Sequence, residues 1–377
     1  MKLLFYDLCI PELLKSGITI GGGACIRQYA LASGLKSIGQ QVGILTWKGA
    51  NAYVGKQAPF DLVESYPRNR WVKITKVYFY WYRMMLKAVI AYQPDFLFVK
   101  GCSIFNGILA LISKKSGVPL VYLATNDKDA DDRYKEYRDF ISQKAYQYSL
   151  AVVSGIVCQN QYQLNAFKNK MPNKNYLLMH NPYFHEGSLR PLLKLSDRNY
   201  IAWLGLFSDQ KNLPGLLQIV KAMPFRNFKI AGEQVKKKYV NPATQEALQE
   251  LQHCSNVEFV GFLSRTQVLP FLSKAYVLLN TSHFEGFSNT FLEAFAAGTP
   301  VVTRKDIDPD QLIQRNNLGK VVSVYDHSAQ AIEDLIIDPA YDEIADGCRN
   351  YLLKNHNPTK ISEKLVGYLN TLRQNAN

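Results

Sequence analysis

The chain lacks any stretch long and apolar enough to cross a bilayer. The best candidate, Val77 to Tyr92, is interrupted by Arg83 and Lys87, and a span needs roughly 20 apolar residues. The opening Met1-Lys2-Leu3-Leu4 is cut short by Asp7. It has neither the longer apolar region nor the small-residue cleavage site of a signal peptide. It reads instead as a buried first strand, and the expected location is cytoplasmic.

Paired cysteines are also missing. Cys9, Cys25, Cys102, Cys158, Cys254 and Cys348 are scattered, with no C-x-x-C spacing and no histidine at zinc-finger distance. Reduced, mostly buried thiols are expected. There is no low-complexity tract and no internal repeat, which excludes a solenoid. The six histidines are dispersed, and none pairs with serine or cysteine in a triad order. Of these, only His283 is expected near a site, packing beside its loop.

Charge is what the chain has in excess. Lys and Arg number 44 against 31 Asp and Glu, a net +13. That favours an anionic partner: nucleic acid, anionic lipid or a phosphorylated substrate. The one basic run, Lys236-Lys237-Lys238, has no nucleic-acid fold signature around it. It reads as a solvated loop, and no nucleic-acid partner is expected.

At roughly 100–200 residues per domain, 377 residues suggest two domains. Short apolar runs alternate with amphipathic stretches. Leu3–Leu8, Val42–Thr46, Phe96–Val99, Val118–Leu123 and Gly155–Cys158 read as strands, with helical segments such as Cys25–Ser37 and Phe105–Lys115 between them. The pattern restarts with strands at Tyr200–Leu204, Phe228–Ala231, Val257–Val260, Tyr276–Asn280, Pro300–Thr303 and Lys320–Val324. The predicted fold class is α/β, with two Rossmann-like βαβ domains facing a central cleft. The boundary falls after Asn181-Pro182, and Gly187 to Arg198 reads as a linker. The expected domains are residues 1–184, residues 198–356 and a C-terminal helix over 357–377 that crosses back to the first domain. Ligands of open α/β sheets bind beyond the carboxyl ends of the strands.

The segment from His283 to Pro300 carries the most chemistry. A strand ends at Asn280, and a polar loop with Gly286 follows. A helix starts near Ser288 or Asn289, both good N-cap types. It ends at Gly298. Its N-terminus presents N–H groups and partial positive charge, which suits a diphosphate. Glu285 precedes the helix and Glu293 lies about one turn inside. One acid would reach a sugar and the other the ribose hydroxyls.

Glu285-Gly286-Phe287-x-Asn289, Leu292-Glu293-Ala294 and Ala297-Gly298-x-Pro300-Val301 resemble the E-x7-E block of glycosyltransferase family 4, the retaining enzymes of GT-B architecture. By that resemblance, Glu285 binds donor-sugar hydroxyls and Glu293 the ribose. Backbone N–H groups of Gly286, Phe287, Ser288 and Asn289 hold the diphosphate and sugar. Gly205-Leu206-Phe207-Ser208-Asp209-Gln210-Lys211 resembles the family's G-R-x4-K segment. Lys211 would neutralise charge on the departing diphosphate. Leu206 stands where the family has arginine, so half of the usual cationic clamp is absent. Gly232 and Gly261 resemble its glycine-ended strands, with Gly261 approaching the base.

In the first half, Gly21-Gly22-Gly23 before a helix, then Leu31, Leu35 and Gly39-Gln40-Gln41-Val42, resemble the family's glycine loop and following strand. Gly22 and Gly23 would approach phosphates or sugar. The third glycine of a dinucleotide fingerprint is replaced by Ile26. Asn126 and Asp127 occupy about the place where the family carries a residue near the reacting sugar carbon. A capping or surface role is the alternative. Counted from Asp127, the loop puts Asp132 and Arg138 where an EF-hand needs glycine and an acid, so no calcium site is expected. Arg68, Arg70, Trp71, Lys73, Lys76, Tyr78, Phe79, Trp81, Arg83 and Lys87 mix bases with aromatics. That suits either an anionic membrane surface or a helix packed on the first sheet.

The resemblance implies a metal-independent retaining transfer of sugar from a UDP- or GDP-sugar to a saccharide or lipid-linked saccharide acceptor. The implied setting is bacterial surface polysaccharide assembly, peripheral at the inner face of the cytoplasmic membrane. No further cofactor is implied. Two alternatives remain open: a nucleotide-sugar 2-epimerase of similar build, and a sugar-nucleotide binding protein with impaired catalysis.

Overall fold

Runs such as Leu3-Leu4-Phe5 and Val277-Leu278-Leu279 are apolar at every position and fully buried. Strands of that kind must be covered on both faces, which is the environment of a parallel sheet flanked by helices. The computed structural model describes residues 1–16, 22–55, 58–67, 74–185, 187–235 and 240–375. Gly21, Arg68, Arg70, Trp71, Lys73 and Lys236–Lys238 lie outside the described residues, as does the side chain of Lys76.

The chain divides into two units, Met1–Phe184 with Asn357–Asn377, and His185–His356. The first holds a seven-stranded sheet. Its strands are β1 (Lys2–Tyr6), β2 (Gln41–Thr46), β3 (Asp61–Glu64), β4 (Phe96–Lys100), β5 (Leu120–Leu123), β6 (Gly155–Cys158) and β7 (Asn175–Leu178). They pair in the order β3-β2-β1-β4-β5-β6-β7. The second unit holds β8 (Tyr200–Leu204), β9 (Phe228–Ala231), β10 (Val257–Gly261), β11 (Ala275–Leu279), β12 (Val301–Arg304) and β13 (Gly319–Val322). These run in the order β10-β9-β8-β11-β12-β13. All described strand pairs are parallel. Both units are Rossmann-like, and the fold is GT-B.

Alternate residues of one strand feed opposite faces of the first sheet. Leu3, Phe5, Phe96 and Phe98 pack with the helix Gly23–Ser37 and with Leu365, Leu369 and Leu372 of the C-terminal helix Pro358–Gln374. Leu4, Leu97 and Val99 pack with the helices Ile74–Tyr92, Ile104–Ser116 and Phe140–Val152. Within Ile74–Tyr92, Trp81 turns inward, its ring 5.1 Å from Phe105 and 5.4 Å from Tyr66. Trp81 is therefore a packing residue, whereas Tyr78, Phe79, Arg83 and Lys87 stay exposed.

Some elements escape the hydrophobic pattern. β3 and β7 sit at the two edges of their sheet, and Asn175–Leu178 has no fully buried residue. Edge strands need no continuous apolar run, so nothing in the pattern marks them. The segment Gly187–Arg198, expected as a linker, is docked on the second unit at its end. Arg198 is 2% exposed and donates to the carbonyls of Ala275, Gly298 and Leu193 and to Thr299 Oγ1. A buried guanidinium demands such partners.

Candidate functional site

In each sheet the strand order reverses once, between β1 and β4 in the first unit and between β8 and β11 in the second. Loops leaving the carboxyl ends of such neighbours diverge and leave a crevice. In the second unit the loop after β8 brings Lys211, and the loop after β11 brings Glu285. Lys211 Nζ lies 2.5 Å from Glu285 Oε1, and Ser282 Oγ donates to the same oxygen at 2.8 Å. The two loops are tied together elsewhere. His283 N–H donates to Gln210 O at 2.8 Å, Gln210 Nε2 to Phe284 O at 3.0 Å, and Thr281 Oγ1 to Lys211 O at 2.7 Å. Tyr325 Oη holds the Ser282 carbonyl at 2.5 Å. Glu285 Oε2 has no hydrogen-bond partner among the described residues, so this carboxylate retains unused acceptor capacity.

The glycines serve close approach. Gly232 N–H donates to Gly261 O at 2.9 Å, and Gly205 N–H to Ala231 O at 3.0 Å. A Cβ on Gly232, whose φ is +155°, would stand 1.9 Å from Gly205 O. The Lys211 stem runs beside Gly205, with Cδ and Cε each 3.4 Å from where a Cβ would be. Gly205, Gly232 and Lys211 are thus brought together, with Gly261 at the end of β10 beside them. Gly261 itself is left-handed at φ +72°.

The helix Asn289–Ala296 begins after Ser288, which supplies no side-chain cap. Its hydroxyl instead meets Thr290 Oγ1 at 2.8 Å. The first turn holds no acid. At the other end Thr299 N–H bonds Ala294 O at 2.8 Å and Gly298 N–H bonds Phe295 O at 3.0 Å, with Gly298 left-handed at φ +64°. This double closure stops the helix and starts β12. Phe287 is buried, its ring 5.4 Å from His356. Glu293 is only partly exposed, and no described residue hydrogen-bonds its carboxylate. Loss of solvent pushes that carboxyl up to about 7, against a smaller opposing pull from Arg265. An unpaired, desolvated acid one turn inside an uncapped helix is poised to accept hydroxyl donors.

The remaining sequence-derived residues belong to the first unit. Gly22, at φ +64°, precedes the helix Gly23–Ser37 and gives it no side-chain cap. Asn126 Oδ1 caps a one-turn helix by accepting from Lys128 N–H at 2.9 Å. Asp127 Oδ1 accepts from Asn160 Nδ2 at 3.0 Å and Gln163 Nε2 at 2.9 Å. Burial pushes its carboxyl up to about 6, with both amides opposing the shift. Asp129 turns to Thr125 and Tyr137, and Asp131 to Arg133 and Tyr162. The alternating acids therefore do not converge. Among the described residues no cluster of His, Cys, Asp and Glu is placed to hold a metal ion.

Three features escaped the sequence reading. Asp7, after β1, pairs with Lys100 at the end of β4, and Lys100 Nζ also donates to Ala24 O at 3.2 Å. Arg27, 3% exposed, donates to Ala124 O, while its Nε and Nη2 have no partner among the described residues. Its burial pushes the guanidinium down to about 10. In the second unit Arg304 lies 5.0 Å from the Tyr325 ring, paired with Asp306 and 3.4 Å from His283 O. Asp7, Lys100 and Arg304 are charges at strand ends, whereas Arg27 lies inside the helix Gly23–Ser37. Leu206, where the resemblance lacks its arginine, is 41% exposed.

Residues 187–365 match the family model described as glycosyl transferases group 1. An uncharacterized glycosyltransferase of Methanocaldococcus jannaschii is 23% identical over 226 residues, covering 60% of this chain and 52% of that protein. The lipopolysaccharide core biosynthesis glycosyltransferase LpsE of Rhizobium meliloti is 26% identical over 145 residues, covering 38% of this chain and 41% of its own. The chain thus spans about half the length of the curated relatives it matches. Among solved structures, sucrose-phosphate synthase from Thermosynechococcus elongatus is similar with TM-score 0.74 at 14% identity, covering 99% of both chains. Anabaena HepE in complex with UDP and glucose is similar with TM-score 0.72 at 17% identity, covering 98% of this chain and 100% of that one.

Proposed function

We propose that the chain is a retaining glycosyltransferase of family 4 type, moving sugar from a UDP- or GDP-sugar to a saccharide acceptor without a metal ion. The observation that carries this reading is the Lys211–Glu285 pair at the switch point of the second sheet, before an uncapped helix. It falls inside the segment that matches the glycosyl transferases group 1 model.

Each residue then has a role. Glu293 accepts from the ribose hydroxyls, and the backbone of Gly286, Phe287, Ser288 and Asn289 faces the diphosphate. Glu285 accepts from donor-sugar hydroxyls through its unused oxygen. Lys211 is held by Glu285 in the resting state. As the sugar–phosphate bond breaks, its ammonium neutralises charge growing on the leaving diphosphate. Gly205, Gly232 and Gly261 let the strand ends carry nucleotide without side chains in the way. In the first unit Gly22 and Gly23 approach donor phosphate or sugar, and Asp127, oriented by two amides, serves near the reacting carbon. Asn126 keeps that loop in shape by capping it. The acceptor in this reading is lipid-linked, in assembly of a bacterial surface polysaccharide at the inner face of the membrane. Support for that setting comes from the Rhizobium meliloti relative.

The test is transfer of labelled sugar from UDP- and GDP-sugars to lipid-linked saccharides, with and without acceptor. Acceptor-dependent product of unchanged anomeric configuration, formed in the presence of a chelator, is expected. A changed sugar nucleotide formed without acceptor would replace this reading by an epimerase. Leu206 favours a second reading, a binding protein with impaired catalysis, which predicts donor binding with no turnover on any acceptor.

A further inference from the structure

The helices Ile74–Tyr92, Ile104–Ser116 and Phe140–Val152 lie side by side on one face of the first sheet. Together they carry six lysines and arginines and not one aspartate or glutamate. A solvated helix face ordinarily mixes both signs. Large apolar side chains nevertheless remain in the open there. Phe140 is 68% exposed, Phe79 64%, Ile141 53% and Leu111 48%. Cations stand over the aromatic rings: Lys144 at 5.4 Å from Phe140, Arg83 at 5.8 Å from Phe79 and Lys114 at 5.4 Å from Tyr148.

The acids that precede Phe140–Val152 are already engaged. Asp139 caps the helix by accepting from Ser142 N–H at 2.9 Å, Asp132 pairs with Lys135 and Lys170, and Glu136 pairs with Lys128. The opposite face of the same sheet differs. Its helices Gly23–Ser37 and Pro358–Gln374 leave none of their large hydrophobic side chains exposed.

A soluble polyanion would satisfy the lysines but give Ile141 and Leu111 nothing. Only a hydrocarbon boundary topped by negative charge suits both, with apolar groups below and ammonium heads at phosphate level. We propose that this three-helix face docks on an anionic lipid bilayer through two anchors, Phe79 with Arg83 on one helix and Phe140, Ile141 and Lys144 on another. The proposal deepens the lipid-linked acceptor of the reading above and rests on it for its purpose, but its test needs no turnover.

The full chain is sedimented with phosphatidylcholine vesicles, with and without phosphatidylglycerol. Binding is expected only with the anionic lipid, weakening with salt. Phe79→Ser with Arg83→Glu, and separately Phe140→Ser with Lys144→Glu, should each lower the partition coefficient about tenfold. Lys364→Glu, on the opposite face, should leave it unchanged. All three variants should keep the wild-type melting temperature, since they alter exposed positions. Absence of wild-type binding would overturn the proposal. So would equal loss with Lys364→Glu, or loss confined to the first pair. Retention by soluble polyphosphate without vesicle binding would also overturn it, in favour of a polyanion-binding face. Vesicle binding by a chain that transfers no sugar would leave this proposal standing and remove the glycosyl-transfer reading instead.

Discussion

The two units place the same device at the same topological point and surround it differently. In the first, Asp7 and Lys100 join the strands flanking the switch point, and in the second Lys211 and Glu285 join the loops that follow them. The first pair is closed. Asp7 Oδ1 also accepts from the N–H groups of Cys9 at 2.7 Å and Ile10 at 3.2 Å, and Lys100 caps the Ala24 carbonyl. The second pair is open, with Ser282 as its one additional partner among the described residues. Charge separates the units as well. The first carries 26 Lys and Arg against 12 Asp and Glu, the second 18 against 19. The chain's entire positive excess therefore sits on the unit without the Lys211–Glu285 pair. A closed pair with saturated partners is architecture, whereas an open pair beside an uncapped helix is available for ligand.

Lysine removal breaks the comparison most sharply. Lys211→Ala should slow sugar transfer about a hundredfold or more, as loss of one preorganised electrostatic group does, with little change in unfolding free energy. Lys100→Ala should do the reverse. It strands the buried Asp7 carboxylate and costs about 3 kcal/mol of stability, while turnover per folded molecule stays near wild type. Paired kinetics and urea melts read both, and equal effects of the two variants would erase the distinction.

Gly232→Ala sets a Cβ against the Gly205 carbonyl and should cost about 3 kcal/mol. The same substitution at Gly39, where a Cβ meets nothing within 4 Å, should cost less, mainly through its left-handed backbone. Denaturant melts of both variants decide whether contact or backbone strain dominates.

The two raised carboxyls give pH signatures. Glu293 binds its proton more tightly folded than unfolded. The stability it contributes is therefore present below the ordinary glutamate range and lost as pH rises through about 7. Glu293→Gln should be more stable than wild type by about 2 kcal/mol above that pH and indistinguishable below the unfolded value. Hydroxyl donors favour the ionised form, so wild-type UDP affinity should rise as pH passes upward through the same range and the variant's should stay flat. For Asp127 the window closes at about 6, and its two amide donors remain usable by an asparagine. Asp127→Asn should gain under about 1 kcal/mol at neutral pH while lowering transfer rate and sparing UDP binding.

Much of this was legible in the sequence. Buried strands such as Tyr200–Leu204 and Val301–Arg304 announce themselves because apolar side chains fill both faces. The helix after Ser288 is marked at its finish by Gly298, whereas Ser288, a good N-cap type, makes no capping hydrogen bond. The edge strands Asp61–Glu64 and Asn175–Leu178 were not legible, since an edge tolerates polar and half-exposed residues. Lys211 and Glu285 were each singled out, but their contact joins residues 74 positions apart and depends on which strands are neighbours. Asp7 and Lys100 offered only charge at strand ends, with nothing local to say that they meet. For Trp81 the sequence left two readings open, membrane surface or a helix packed on the first sheet, because periodicity gives a helix face without saying which neighbour fills it.

The most direct test of the account is titration calorimetry of UDP, GDP and ADP against wild type, Lys211→Ala, Glu293→Ala and Lys100→Ala. One nucleotide class should bind wild type and Lys100→Ala alike, weaken on Glu293→Ala and weaken less on Lys211→Ala. No binding of any nucleotide to wild type, or loss on Lys100→Ala with none on Glu293→Ala, would contradict a donor site at the switch point of the second unit.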